Sequence, residues 1–156
     1  RNPTRFRPRF MGDAYFHFHG RVISAEKEKE VMQGLDKFKT KHGRQMKVVF
    51  MCTRGISRSP QAMSLFSGFV GRNISNSLKL EVGGYYGNLQ RVIETMKDAD
   101  FVVPLFQTHG SLKEAWEIIP EKQRPKILNE LAVKNPWEGI ERHFEKILGH
   151  ILELAK

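Results

Sequence analysis

The chain has 156 residues, enough for one hydrophobic core, and 40% of them are hydrophobic against 28% charged; that balance excludes a disordered polymer and fits a soluble globular composition. No apolar run nears the roughly 20 residues a bilayer crossing needs, and the opening Arg1–Phe10 is basic and broken by Pro3 and Pro8, unlike a secretory leader. The formal net charge of +9 favours anionic partners, and the one cysteine, Cys52, excludes an internal disulfide or a cysteine-rich zinc site and suits a reducing compartment, most simply the cytoplasm.

Residues 1–12 read as a basic arm without periodicity. Tyr15 to Ile23 alternates and is rich in aromatics, which predicts a short strand. Ser24 suits a helix N-cap, with Glu26 and Glu28 in the first turns, Val31, Leu35 and Phe38 at helical spacing, and Gly43 as the stop. Met46 to Met51 is a short apolar run of the kind buried in a parallel sheet. After a Gly- and Ser-containing loop, Pro60 opens a helix whose apolar face is Ala62, Leu65, Phe66 and Phe69, ending at Gly71. Leu78–Val82 reads as a strand, Leu89–Lys97 as a helix, Asp100–Leu105 as a buried strand and Leu112–Ile119 as a helix. Lys126–Val133 fits either helix or strand, and Ile140–Leu154 is a helix on the spacing of Phe144, Ile147, Leu148, Ile151 and Leu154. Strands alternating with helices predict an α/β fold with a parallel sheet flanked by helices.

The chemistry concentrates between the first core strand and its helix. Cys52 and Arg58 bracket five residues, Thr53, Arg54, Gly55, Ile56 and Ser57, and Ser59 and Pro60 follow. Such a strand–loop–helix turn points backbone N–H groups inward and adds the positive end of a helix, so it cradles an anion. In that cradle Cys52 is a candidate nucleophile, since those surroundings favour the thiolate. Arg58 would grip two phosphate oxygens, and Ser59 would hydrogen-bond the sulfur and ease its departure. Gly55 supplies a position without side-chain bulk. The bland alternative is a buried, unreactive cysteine beside a solvated loop.

The segment Val48–Pro60 resembles the phosphate loop of the low-molecular-weight protein tyrosine phosphatases. Ala99–Val103 is similar to that family's central strand, and Val133–Trp137 with the helix after it to its acid loop and last helix. The resemblance covers Met46 to Lys156 and implies a four-stranded parallel sheet, with a fifth strand open to the extension at residues 13–45. The implied organisation is one α/β domain over 13–156 with its core at 46–156. The implied activity is metal-free and cofactor-free: a phosphocysteine forms on Cys52 and is hydrolysed, the substrate being a phosphorylated protein or aryl phosphate.

Three positions depart from the family pattern. Gly55 stands where a bracing Asn is usual, and Ser57 where a second Cys is common. Asn135 stands where an Asp before Pro136 serves as general acid, a role worth about 10² to 10⁴ in rate. An amide cannot protonate the leaving group, so either turnover is slow, making the chain a phosphate-binding pseudophosphatase, or Glu138, Asp13, His17, His19, His109 or His143 stands in. Tyr85, Tyr86 and Trp137 are candidate walls for an aromatic substrate, or ordinary half-buried aromatics. The string Gly55–Pro60 also resembles the loop of dual-specificity phosphatases, which carry a His before the Cys where this chain has Met51. His17 and His19 alternate on the expected strand but have no third ligand in sequence, so no metal site is expected. The Arg1, Arg5, Arg7 and Arg9 arm fits either a solubilising tail or contact with an anionic partner.

Overall fold

The structure, a computed structural model, describes residues 21–52, 58–84, 87–105, 110–128 and 136–156. Five α-helices and four strands alternate among them: α1 (Ala25–His42), β1 (Met46–Cys52), α2 (Arg58–Ser77), β2 (Leu78–Gly84), α3 (Leu89–Lys97), β3 (Phe101–Pro104), α4 (Gly110–Ile118), β4 (Lys126–Ile127) and α5 (Pro136–Leu154). The strands form one sheet in the order β2-β1-β3-β4, with every neighbouring pair parallel. The expected α/β fold is thus present. No helix among the described residues is long and apolar enough to cross a membrane.

The sheet is covered on both faces, as buried parallel strands require. Val48, Phe50 and Cys52 of β1 point to one face, where α1, α2 and α5 pack. Val49 and Met51 point to the other, against Val92, Ile93 and Met96 of α3 and Leu112 and Ala115 of α4. An aromatic chain locks the first face: Phe50 meets Phe66 of α2 at 5.6 Å between centroids, Phe66 meets Phe144 of α5 at 6.0 Å, and Phe69 meets Phe144 edge-on at 5.5 Å. Each such contact is worth about 0.5–1.5 kcal/mol beyond the area it buries. Together they hold α2 in a fixed position over β1.

Helix α1 forms as its ends dictate. The Ser24 side chain accepts from the Lys27 N–H at 3.1 Å, and Gly43 closes the helix at φ 71°, donating its N–H to the Lys39 carbonyl. Beneath it, Asp100 ties together the entry ends of the strands. It accepts two hydrogen bonds from Arg44, at 2.7 and 2.9 Å, and one from the Lys47 N–H at 2.8 Å. The Asp100 hydrogen bond pushes the Arg44 pKa above its ordinary value.

Several boundaries differ from the sequence expectation. One boundary falls where expected: the helix after the loop breaks at Gly71, whose φ 85° and ψ 171° are not helical, and a second helical stretch follows to Ser77, so α2 is two helices joined at a kink. Ser67 and Ser75 hydroxyls lie 2.8 Å apart across the kink and satisfy the groups the break exposes. Residues 21–23 of the expected first strand are not strand; instead the N–H groups of Val22 and Ile23 both donate to the Phe69 carbonyl just before the kink. The remainder of that expected strand, and the basic arm, lie outside the described residues. Of the extension, the described helix α1 packs on a face of the sheet. Of Lys126–Val133, only Lys126–Ile127 is strand, and 129–133 lie outside the described residues. Helix α5 starts at Pro136, one turn earlier than its apolar spacing shows.

Candidate functional site

The order β2-β1-β3-β4 puts β1 where the sheet reverses direction: the chain moves from β1 to one side for β2, then crosses to the other side for β3. In open α/β sheets the crevice outside the carboxyl end of the strands at such a reversal is the ordinary ligand site. Cys52 is the last residue of β1, so sequence and topology nominate the same point. Its neighbours across the sheet are Gly84, the last residue of β2, in register with Cys52, and Pro104 of β3, in register with Met51. Gly84 leaves the β2 side of the cysteine without a side chain.

Helix α2 begins six residues after Cys52, at Arg58. Ser59, its second residue, is fully buried, the one buried polar side chain among the described residues. Its Oγ lies 3.2 Å from the Cys52 Sγ, hydrogen-bonding distance for sulfur. The thiol is itself 3% exposed. A cysteine sulfur is thereby held at the positive end of the helical stretch that runs from Arg58 to the kink at Gly71, where negative charge on sulfur is favoured. Arg58 is half-buried at the same helix start. The structure thus brings Cys52 and Ser59 into contact, with Arg58 next to Ser59 in sequence at the helix start.

The other expected site residues divide as follows. Thr53, Arg54, Gly55, Ile56, Ser57, Tyr85, Tyr86 and Asn135 lie outside the described residues, as do the alternative acids Asp13, His17, His19 and His109. Trp137 is placed in the first turn of α5. Glu138 follows it, exposed and 3.9 Å from Arg142. His143 is half-buried one turn further along α5. No group of three or more His, Cys, Asp or Glu side chains able to hold a metal occurs among the described residues. Sequence reasoning passed over Gln61. It sits one turn into α2 from Arg58, and its Oε1 is buried without a hydrogen-bond partner. Only its i+3 spacing from Arg58 on a helix marks it in the sequence.

Fold and site together define a doubly wound α/β protein with a cysteine–serine pair at the sheet's reversal point. No protein-family model matches the chain, and no curated protein matches it.

Proposed function

We propose that the chain is a cysteine-dependent phosphomonoester hydrolase of the low-molecular-weight tyrosine phosphatase kind. The observation that carries this reading is the buried Cys52–Ser59 contact of 3.2 Å, made between the end of the central strand and the first turn of the next helix. A packing cysteine has no use for a hydroxyl partner at a helix N-terminus, whereas a thiolate nucleophile does. The parallel β2-β1-β3-β4 sheet, with the loop following its first strand, also agrees with the family that the sequence resembles.

In this reading the Cys52 thiolate attacks phosphorus and the bond to the leaving oxygen breaks. Arg58 and the N–H groups of residues 53–58 hold the three equatorial oxygens. Water then attacks the phosphocysteine, the S–P bond breaks, and the Ser59 hydroxyl donates to the departing thiolate. The leaving oxygen needs a proton, and Asn135 cannot supply one. The chain therefore favours substrates whose leaving oxygen tolerates negative charge, such as the phenolate of phosphotyrosine or another aryl phosphate. The same substitution supports a second reading: a pseudophosphatase that binds phosphorylated protein and turns it over poorly. The cytoplasm is the compartment that a reactive lone thiol requires.

Hydrolysis of an aryl phosphate by the wild type and by Cys52→Ser tests the enzyme. The expected result is turnover that Cys52→Ser abolishes; equal rates would refute it. Retained phosphate binding with no turnover by either protein would select the pseudophosphatase.

A further inference from the structure

Strand β2 is one edge of the sheet, and its seven residues present about 20 Å of outer edge. Nothing among the described residues pairs with that edge. Natural edges are often blocked by a lysine, and Lys79 stands here, 60% exposed. It does not stand alone. Glu81, two positions on and therefore on the same face of the sheet, carries the opposite charge. Leu80 lies between them on the other face, and Leu78 and Val82 flank the set. Val82 is one of three large exposed hydrophobics among the described residues, at 38%.

This pattern is self-complementary. When two copies pair their β2 strands antiparallel about a two-fold axis through Leu80, residues whose numbers sum to 160 stand opposite one another. Lys79 then faces the partner's Glu81, and Glu81 the partner's Lys79. On the opposite face Leu80 meets its own symmetry mate, and exposed Val82 covers the partner's Leu78. Directly opposed side chains in such a ladder are within reach, and opposite charges there are favourable while like charges are not. Within one chain Glu81 already bridges Lys47 at 3.2 Å and Lys79 at 3.7 Å, so the charges are gathered before pairing. The remaining charge nearby, Asp98, lies 4.0 Å from Lys47 and is exposed.

We infer that the β2 edge is an isologous interface, and that its partner is a second copy of this chain, giving a continuous eight-stranded sheet. Because the strands run antiparallel, the two Cys52 ends point to opposite sides of the dimer, and both sites stay open.

Sedimentation velocity on the full chain tests this through charge exchange. The wild type is expected to dimerise with rising concentration. Lys79→Glu and Glu81→Lys each set like charges opposite one another twice per dimer and should weaken association by about tenfold or more. Mixing these two variants restores Lys–Glu pairs at both positions, so the mixture should regain the dimer that neither forms alone. Circular dichroism on each variant checks that it is folded. A wild type that stays monomeric into the millimolar range would overturn the proposal. So would single variants that associate as the wild type does, or a mixture that stays monomeric.

Discussion

Ser59→Ala isolates the contact on which the functional reading depends. Ser59 is fully buried, and its hydroxyl lies 3.2 Å from the Cys52 sulfur. Alanine keeps the helix and the volume to within one oxygen, so the fold should survive with little loss. A hydrogen bond to a charged group is worth about 1.5–3 kcal/mol, and that energy acts unequally on the two chemical steps. In the attack on phosphorus the thiolate is the starting state, so losing the donor leaves a stronger but scarcer nucleophile and the effects largely cancel. In hydrolysis of the phosphocysteine the thiolate is being formed, so the whole loss falls on the barrier. At 1.36 kcal/mol per decade, the second step should slow about 10- to 150-fold. Rapid mixing with p-nitrophenyl phosphate should then show a burst of nitrophenolate near one equivalent, followed by a slow steady state. The donor favours the charged form of the sulfur, so its removal favours the thiol, and the acid limb of kcat/KM should move toward higher pH. A Ser59→Ala protein with the wild-type steady-state rate, no burst and an unmoved acid limb would refute the assigned role.

Asn135→Asp should raise kcat by about 10²-fold or more on phenyl phosphate, a poor leaving group, and far less on p-nitrophenyl phosphate; an equal effect on both would mean that proton donation is not what the wild type lacks. Asp100→Ala should cost about 1–3 kcal/mol in urea unfolding, chiefly because the Lys47 N–H loses its acceptor. Arg44→Ala should cost about 1 kcal/mol or less, since that side chain is 51% exposed and water screens the pair. Gly71→Ala forces a side chain into φ 85°, ψ 171° and toward Arg21 Cδ at 2.9 Å, which should cost about 1–3 kcal/mol and lower Tm by about 2–4 °C for each kcal/mol. Phe66→Ala removes the middle ring of the aromatic chain and should cost about 3–5 kcal/mol.

The central part of this fold was legible because its signals are local. Val48, Val49 and Phe50 make a strand buried on both faces, a pattern few other elements share. Ser24 and Gly43 mark the ends of α1 by side-chain and φ requirements that can be read one residue at a time. Gly71 was legible for the same reason: a glycine after an apolar face reads as a stop, and its φ 85°, ψ 171° break the helix there. The start of α5 was hidden because the apolar residues at helical spacing begin only at Ile140, one turn after Pro136. At the site, the spacing of Cys52 and Ser59 around a strand–loop–helix turn marked the pair that the structure brings into contact. The register of Gly84 against Cys52 had no such mark, because strand pairing is a long-range fact that no single segment encodes.

The kink divides α2 into two parts. The helix does two jobs, and Gly71 separates them. Residues 58–70 are pinned by Phe66 and Phe69 to β1 and α5, and this half carries Arg58 and Ser59 to the end of the sheet. Residues 72–77 return the chain to β2, closing on Ile74 and Leu78, and the Asn76 carbonyl accepts from the Gln45 side chain. The helical hydrogen-bond ladder breaks at Gly71, and the Ser67–Ser75 contacts bridge the two halves. Gly71→Ala and Phe66→Ala therefore differ in kind. The first should lower stability while leaving kcat near the wild-type value, and the second should lower both, because it loosens the half of the helix that sets the sulfur–hydroxyl distance.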